Sequence, residues 1–379
     1  MPHAPVDDYG THLYYEDGGA PVGSTSYITI VLIHGTNFHS AIFRPLLPFA
    51  ADHNLRFVCV NLRDYPGSTP YSPKELALLH SSEKDDQAAF IRAQGIELGA
   101  FLAWFIDTQN IPRLSTSSGK EHQTGGIAML GWSSGNCITL SFLAHANKLP
   151  EKHRLLLDGY LRSFIIFDAP PFPFGAPFPS LQELYNPLRD PSLSLEQASQ
   201  AFSLWVSSYH LHSPHVLSSF EKLSKSEFLS GLTQDPISDP APDRAPTIER
   251  MTAAELAAVT DASDTGSHIP VLHVSTEVYS ENLQMALFDS MKASVWPGLR
   301  VELVWCEMSH GEPQYSAWYV VQMAAEYQSG RKLAVTKMEG ANHFVSASVI
   351  SNTAECDPTP WQPHWDQPER TVHFLAGIV

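Results

Sequence analysis

Residues 131–135, with the sequence GWSSG, restrict the fold of this chain more than any other segment. They directly follow an apolar run at residues 126–130 (GIAML), and a helix-like segment at residues 136–143 (NCITLSFL) comes immediately after them. Only a very tight turn joins a buried strand to a helix in so few residues, and such a turn needs small side chains where it packs against its neighbours. The sequence therefore predicts a strand, a tight turn and a helix in direct succession.

The predicted turn has one residue suited to its apex. Ser133 has a glycine two positions away on each side, at Gly131 and Gly135. The corresponding neighbours of Ser134 are a tryptophan and an asparagine, which are too bulky for such close packing. A serine hydroxyl acts as a nucleophile when a sharp turn exposes it beside a base. Ser133 is thus the predicted nucleophile, and the alternative is a small-residue turn that carries no chemistry.

Two further strands are predicted before this turn. Residues 27–33 (YITIVLI) are apolar and mostly β-branched, as in a parallel strand buried on both faces, and they run straight into a His-Gly pair at residues 34–35. A helix-like stretch at residues 41–51, a second apolar strand at residues 57–62 (FVCVNL) and a loop at residues 63–68 (RDYPGS) follow. The pattern indicates a sheet of buried parallel strands.

In this order, the segments resemble the α/β-hydrolase superfamily. Residues 333–344 (LAVTKMEGANHF) are similar to its last strand and histidine loop, and residues 363–369 (PHWDQPE) to the start of its final helix. The GANHF run, with the HWD at residues 364–366, also resembles a group of fungal hydrolases of this fold. The resemblance covers roughly residues 27–170 and 268–379, and its separate matches occur in the family's order.

The resemblance implies an α/β-hydrolase fold, with a mostly parallel central sheet flanked by helices and an inserted, mainly helical cap. A chain of 379 residues suits one such domain with an insertion. The proline-rich run PPFPFGAPFP, which begins at residue 170, is incompatible with a helix or an interior strand, because its prolines lack backbone donors. We therefore predict the first part of the core at residues 1–169, the cap at residues 170–267 and the second part of the core at residues 268–379.

The predicted cap contains an aromatic helix. Residues 194–197 (SLEQ) form a capping-box pattern, and Phe202, Trp205, Val206 and Tyr209 then share one face. In the superfamily the cap covers the active site, which implies that Trp205 and Tyr209 face the substrate. The alternative, that they pack the cap on itself, stays open.

Position along the chain selects the base for Ser133. His343 follows the last predicted strand, where the superfamily places its catalytic histidine on a loop that reaches back toward the serine. His310 also follows a predicted strand, but a helix and another strand come after it, so it is a weaker candidate. The resemblance gives His34, in the His-Gly pair, a structural role.

The acid departs from the superfamily pattern. Two predicted strands, residues 270–277 and 301–307, compete for the position that the acid usually follows, and they offer Glu277 and Glu307. Asp168 directly follows the strand after the nucleophile helix, a position from which some members, including haloalkane dehalogenases, draw their acid. We favour Asp168, with Glu307 as the alternative and Glu277 behind both. An aspartate that only stabilises a loop is the other interpretation of Asp168.

The resemblance also implies an oxyanion hole and substrate contacts. Its two donors are the backbone N–H groups of Ser134 and Thr36, aimed at the carbonyl oxygen as it becomes an alkoxide. Asn37 or the side chain of Thr36 offers a third donor. We predict that Asn37 and Trp132 contact the substrate.

Composition excludes several classes of partner. The formal net charge of −17 argues against nucleic acids and anionic membranes. The first residues lack the basic and apolar regions of a secretory leader, and no run of about 18 apolar residues is apparent, so we expect a cytoplasmic protein without membrane insertion. Four cysteines in this length do not form a disulfide framework. We expect no metal and no cofactor, and the sequence does not predict the oligomeric state.

A serine at the nucleophile position disfavours epoxide hydrolase and haloalkane dehalogenase activities, since those members of the fold attack with a carboxylate. The expected function is hydrolysis of a carboxylic ester or lactone of a medium-sized apolar molecule through an acyl-serine. A serine-dependent C–C bond hydrolase or thioesterase would use the same residues. A non-catalytic ligand receptor on a hydrolase scaffold is the alternative from another class.

Overall fold

The computed structural model describes residues 2–116, 123–261, 266–327, 329–344 and 367–379. Within these residues, eight strands form one sheet in the spatial order β1-β2-β4-β3-β7-β8-β9-β10, and β5 and β6 form a separate two-stranded sheet. The strands are β1 (His3–Pro5), β2 (His12–Asp17), β3 (Ile28–Ile33), β4 (Leu55–Val60), β5 (Ser115–Thr116), β6 (Gln123–Thr124), β7 (Ile127–Trp132), β8 (Leu161–Phe167), β9 (Arg300–Cys306) and β10 (Leu333–Met338).

The large sheet is mostly parallel, as the sequence predicts. The β1–β2 and β2–β4 pairs are antiparallel. The pairs from β4 through β3, β7, β8 and β9 to β10 are parallel. The carboxyl ends of the parallel strands therefore meet at one edge, where ligands bind in open α/β sheets.

Helices cover both faces of the sheet. The α-helices are α1 (Leu47–Ala50), α2 (Pro73–Leu79), α3 (Lys84–Gln109), α4 (Asn136–Ala144), α5 (Glu151–Asp158), α6 (Leu195–Ser207), α7 (Pro214–Ser219), α8 (Lys225–Ser230), α9 (Thr247–Arg250), α10 (Ala253–Val259), α11 (Thr276–Leu283), α12 (Ser290–Ala293), α13 (Gly311–Glu326) and α14 (Pro368–Ile378). Helices α6 to α12 lie between β8 and β9, so the sheet is interrupted by a helical insertion.

The apolar strands bury side chains on both faces, which is why they contain runs of apolar residues and not alternating ones. In β3, Val31 and Ile33 belong to one apolar cluster, while Ile30 and Leu32 belong to the cluster on the opposite face. This two-residue alternation is the geometry of an extended strand. The predicted α/β fold is thus confirmed at the level of the sheet and its flanking helices.

Helix α3 is long and apolar enough to cross a membrane by length and composition. However, 61 % of its most apolar window is buried inside the protein, as is usual for the core helix of a folded domain. Helix α3 packs against α4, the helix that follows the GWSSG turn. Through this contact, α3 stabilises the position of α4 and of the turn that precedes it.

Residues 270–277 do not form the predicted strand. Pro270–His273 is a 3-10 helix, and α11 begins at Thr276 with the Ser275 side chain accepting a hydrogen bond from the Glu277 N–H. Helical spacing decides the structure here, because the buried residues of α11 fall on one helical face. The strand prediction was wrong, and the sheet resumes only at Arg300.

Helix α14 begins at Pro368, close to the predicted start of the final helix, whereas His364, Trp365 and Asp366 lie outside the described residues. Division into core, cap and core at residues 169 and 267 stays a prediction.

The contact between α3 and α4 depends on Gly95. A Cβ atom there would lie 2.5 Å from the Phe142 nitrogen, so the two helix backbones leave no space for a methyl group. We expect Gly95→Ala to lower the free energy of unfolding by about 1–3 kcal/mol, although alanine is the better helix former. The measurement is the urea midpoint.

Gly377, in α14, is the matched control, because a Cβ atom there would meet nothing within 4 Å. Gly377→Ala should leave stability unchanged or raise it by up to about 1 kcal/mol. If Gly95→Ala and the wild type have equal urea midpoints, α3 and α4 can move apart enough to accommodate the methyl group without loss of stability.

Candidate active site

The GWSSG turn is built as a strand-to-helix elbow. Strand β7 ends immediately before Ser133, and α4 begins three residues after it. Ser133 has a backbone φ of 54°, in the left-handed region. A Cβ atom at Gly131 would lie 2.5 Å from Thr139 Oγ1, and one at Gly135 would lie 2.4 Å from the His34 carbonyl oxygen. Both glycines are therefore required by the packing of the turn.

Three side chains meet at this elbow in one series of hydrogen bonds. His343 Nε2 lies 3.0 Å from Ser133 Oγ, and His343 Nδ1 lies 2.7 Å from Asp168 Oδ2. Asp168 is fully buried and His343 is 3 % exposed. The structure thus joins the predicted nucleophile, the predicted base and the favoured acid. This arrangement allows a proton to pass from serine to imidazole while the carboxylate orients the ring.

The Asp168 carboxylate has further donors besides His343. The Cys306 N–H donates to Oδ1 at 2.7 Å, and Ser309 Oγ donates to Oδ2 at 2.8 Å. Asp168 itself follows β8 with a left-handed backbone φ of 44°, and its N–H donates to the Val304 carbonyl oxygen. The chain bends sharply at this residue, which directs the carboxylate across the end of β9. The sequence did not indicate Ser309 as a contact.

Glu307 lies elsewhere. Its carboxylate accepts hydrogen bonds from Lys337 Nζ and the Gly340 N–H, each at 2.8 Å. Burial by itself would raise the pKa of Glu307, but these two donors lower it overall. Glu307 therefore ties down the loop that leads to His343 without contacting the imidazole. Glu277 is exposed on α11 and is not at the end of a strand.

The other two candidate histidines have separate surroundings. His34 Nδ1 lies 2.8 Å from the Gly35 carbonyl oxygen, and its Nε2 accepts from the Leu62 N–H at 3.0 Å. Burial lowers the pKa of His34 to about 3. Its neutral ring thus holds two loops together, in agreement with the structural role that the resemblance implied.

His310 stacks on the indole of Trp205, with a centroid distance of 4.3 Å, and lies 5.0 Å from the ring of His343. Burial, and then the neighbouring His343, hold its pKa well below the usual value. His310 has no hydrogen bond to Ser133 among the described contacts. It packs behind the base and does not replace it.

The predicted oxyanion donors lie together, but one of them is engaged. The Thr36 N–H donates to Ser134 Oγ at 2.6 Å, and Thr36 Oγ1 is 2.8 Å from the same oxygen. A Cβ atom at Gly35 would lie 2.9 Å from Ser133 Cβ, so glycine is needed for this close approach. A substrate oxygen accepts from the Thr36 N–H only after the Ser134 side chain rotates.

A cavity opens over Ser133 and is mainly apolar. Asn37 and Trp132 are in its wall, at the positions predicted to contact the substrate. Its apolar lining consists of Phe38, Trp132, Pro170, Phe172, Leu188, Phe202, Val206, Ile269, Leu272 and Phe344. Its polar lining consists of Thr36, Asn37, Ser133, Ser134, Asn186, His310, Glu312 and His343.

The aromatic face of α6 is turned differently from the prediction. Phe202 and Val206, four residues apart on this helix, line the cavity, whereas Trp205 and Tyr209 do not. Trp205 packs against His310 behind the cavity wall, and Tyr209 is buried. Phe202 and Val206 are therefore the cavity-facing residues of the predicted face, and Tyr209 lies beyond the end of α6.

Glu312 and Asn186 are cavity residues that sequence reasoning missed. Glu312, in the first turn of α13, is 2 % exposed, and its Oε1 accepts a hydrogen bond from Asn186 Nδ2 at 2.9 Å. The available signal was that Glu312 follows β9, at the carboxyl edge of the sheet and two residues after His310.

Comparison with known proteins identifies relatives in fold. A sequence model of the alpha/beta hydrolase family matches residues 30–349. No curated protein sequence matches the chain.

Several solved structures are similar in fold. One is a carboxylesterase structure from the thaumarchaeon Nitrososphaera gargenis (14 % identity, 91 % of this chain and 92 % of that chain, TM-score 0.44). Another is a serine hydrolase from the polyaromatic hydrocarbon-degrading bacterium Cycloclasticus zankles (10 %, 100 % and 95 %, TM-score 0.48). A third is a haloalkane dehalogenase loop variant from Bradyrhizobium elkanii (15 %, 100 % and 95 %, TM-score 0.47). Similarity at this level carries no information about the substrate.

The left-handed backbone of Ser133 should be measurable as strain. Such a conformation costs a residue with a Cβ atom about 1–2 kcal/mol, and glycine avoids that cost. We expect Ser133→Gly to be about 1 kcal/mol more stable than Ser133→Ala, which keeps the Cβ atom and removes the same hydroxyl. Thermal or urea unfolding of the two variants compares them directly. A less stable glycine variant would show that the surrounding contacts, and not the Cβ atom, set the strain.

Proposed function

The chain belongs to the alpha/beta hydrolase family, and we propose that it is a serine hydrolase that cleaves a carboxylic ester or lactone of a medium-sized apolar substrate. The observation that carries this proposal is the hydrogen-bonded series Ser133–His343–Asp168 at the elbow. Family membership supports hydrolysis in general. The ester or lactone bond and the acyl-serine intermediate are parts of the proposal.

In the proposed reaction, Ser133 Oγ attacks the substrate carbonyl carbon while His343 Nε2 takes the hydroxyl proton. The Asp168 carboxylate accepts the Nδ1–H and stabilises the imidazolium that forms. The carbonyl oxygen becomes an alkoxide, which the backbone N–H groups of Thr36 and Ser134 stabilise. The imidazolium then protonates the leaving alkoxide, and the acyl group stays on the serine.

Water completes the cycle. His343 takes a proton from a water molecule that attacks the acyl-serine, and the collapse of the second tetrahedral intermediate returns the proton to Ser133. For an ester, an alcohol leaves first and the acid second. For a lactone, both groups remain in one hydroxy acid, because the cleaved bond is part of a ring.

The cavity supports the substrate class. Most of its lining is aromatic or aliphatic, which favours an apolar molecule held beside a few polar groups. Serine as nucleophile supports acyl transfer and not the carboxylate-based attack of epoxide hydrolases or haloalkane dehalogenases. We also propose that the protein is cytoplasmic and that it has no nucleic-acid partner; the net charge of −17 supports the second of these proposals.

Loss of the nucleophile tests the reaction. Ser133→Ala should lower kcat for p-nitrophenyl esters by about 10⁶-fold, because no other group forms the acyl intermediate. A fluorophosphonate probe should label the wild type at Ser133 and leave the variant unlabelled. Ester hydrolysis by the variant at a tenth of the wild-type rate would overturn the assignment, and failure to label the wild type would favour a non-catalytic receptor.

The acid is tested by a matched pair of amide substitutions. Asp168→Asn should lower kcat by about 10⁴-fold, because the amide favours the wrong tautomer of His343. Glu307→Gln should change kcat only a few-fold, since Glu307 binds Lys337 and the Gly340 N–H and does not contact the imidazole. Steady-state kinetics of the two variants decides the matter. A severe loss for Glu307→Gln with a mild loss for Asp168→Asn would reverse the assignment.

A further inference from the structure

The cavity contains a carboxyl group that the proposed reaction does not use. Glu312 is 2 % exposed and lines the same cavity as Ser133. Its Oε1 accepts a hydrogen bond from Asn186 Nδ2, and no described residue is hydrogen-bonded to its Oε2. Because Oε2 has no hydrogen-bond partner among the described residues and belongs to a cavity-lining side chain, it is available to a ligand.

The residues that the structure describes supply no cation that neutralises Glu312. Among the described residues, no lysine or arginine forms an ion pair with it. The charge of Arg189 acts on Glu312, but its guanidinium donates to the carbonyl oxygens of Leu184 and Pro179. His310 and His343 line the same cavity, and His310 is uncharged. The described residues thus give the carboxyl group a hydrogen-bond donor, Asn186, and no ion-pair partner.

These surroundings favour the neutral acid. Burial raises the pKa of Glu312 to about 7, and the hydrogen bond from Asn186 and the charge of Arg189 only partly oppose this. A neutral carboxylic acid carries an O–H donor, which a carboxylate lacks. At and below neutral pH, a large fraction of Glu312 therefore has a proton to donate.

Asn186 fixes the direction of this donor. Its Oδ1 accepts from the Leu188 N–H at 2.9 Å, while its Nδ2 donates to Glu312 at 2.9 Å. Both ends of the amide are engaged, so the amide holds one carboxyl oxygen and leaves the other for the cavity. The pair is a pre-formed polar site in the cavity wall.

We propose that Glu312 and Asn186 form a specificity site that donates a hydrogen bond to a neutral substrate oxygen outside the ester or lactone group that is cleaved. The inference rests on the proposed function and names its substrate class: an apolar ester or lactone that carries an additional ketone, ether or hydroxyl oxygen. A site built to hydrogen-bond such an oxygen rejects the hydrocarbon analogue, because the buried donor is then left unpaired.

The test uses matched p-nitrophenyl esters. One set has a ketone at successive positions of a short acyl chain, and a second has a methyl branch in place of each ketone oxygen. A third has an ammonium group at the chain end. For the best ketone position, we expect the wild type to prefer the ketone over its methyl isostere by at least about 10-fold in kcat/KM.

Two substitutions show whether Glu312 donates a hydrogen bond as a neutral acid or pairs with a cation as a carboxylate. Glu312→Gln keeps a donor N–H in place of the acid O–H, so the preference for the ketone should remain. Glu312→Met removes donor and acceptor at similar size, so the ratio should fall by about 10-fold, to the intrinsic reactivity ratio of the two esters, while the methyl isostere is still hydrolysed. Glu302→Gln, at a half-buried glutamate of β9 outside the cavity, is the control and should leave the ratio unchanged.

The pH dependence has a defined sign. In the wild type, the ketone preference should be full below the pKa of Glu312, which is about 7, and should be lost as the pH rises through it. In Glu312→Gln the preference should not change with pH. Because both esters are cleaved by the same groups, the ratio of their kcat/KM values cancels any pH dependence that the two reactions share.

Binding separates this inference from the proposed function. The Kd of Ser133→Ala for the intact ketone ester and its methyl isostere, measured by calorimetry, should show the same preference without turnover. If the wild type hydrolyses no ester, the proposed function fails, and the Kd ratio still tests the site. An unchanged ratio in Glu312→Met would overturn the inference, as would a wild-type preference for the ammonium ester that Glu312→Gln abolishes.

Discussion

The buried carboxylate of Asp168 is the group on which the geometry of the site depends. It accepts hydrogen bonds from the Cys306 N–H, from Ser309 Oγ and from His343 Nδ1. These donors belong to the end of β9, the loop after it and the loop after β10. A carboxylate without solvent needs all of its donors, and each one left unpaired costs about 1–3 kcal/mol or more. The charge thus holds separate segments against the end of β8.

The orientation of His343 links the candidate active site to helix α6. Its carbonyl oxygen accepts from Trp132 Nε1 at 2.9 Å, and its ring packs against His310, which in turn stacks on Trp205 of α6. A movement of α6 would therefore shift the imidazole of His343 through these ring contacts. The same helix presents Phe202 and Val206 to the cavity. Substrate contact and base position are consequently connected through one helix.

The sequence predicts those features of the fold that follow local rules. Small residues on both sides of Ser133 indicate the elbow, because steric contact at such a turn depends only on its immediate neighbours. Apolar runs indicate the strands of a sheet buried on both faces. Residues 270–277 show the limit of that rule, since a short apolar run fits a helix as well as a strand and the capping Ser275 decides between them. The placement of Asp168 rested on the family resemblance and not on pattern.

Features that depend on distant contacts could not be predicted in this way. Glu312 becomes a cavity residue through a partner 126 positions away, and no local pattern links it to Asn186. Trp205 and Phe202 lie on the same helix, and only the stacking partner His310 shows which of them turns away from the cavity. The sequence therefore predicted the candidate triad residues more readily than the residues that line the cavity.

The contact between Ser134 and Thr36 has an energetic consequence for the proposed reaction. In the resting protein the Thr36 N–H already has a hydroxyl acceptor, so an arriving ester carbonyl exchanges one neutral acceptor for another and gains little. When that oxygen becomes an alkoxide, the same N–H donates to a full negative charge, and the exchange becomes favourable. Because the Ser134 hydroxyl already accepts from the Thr36 N–H, this donor adds little to the free energy of substrate binding. The donor then acts on the rate of the chemical step and hardly on substrate affinity.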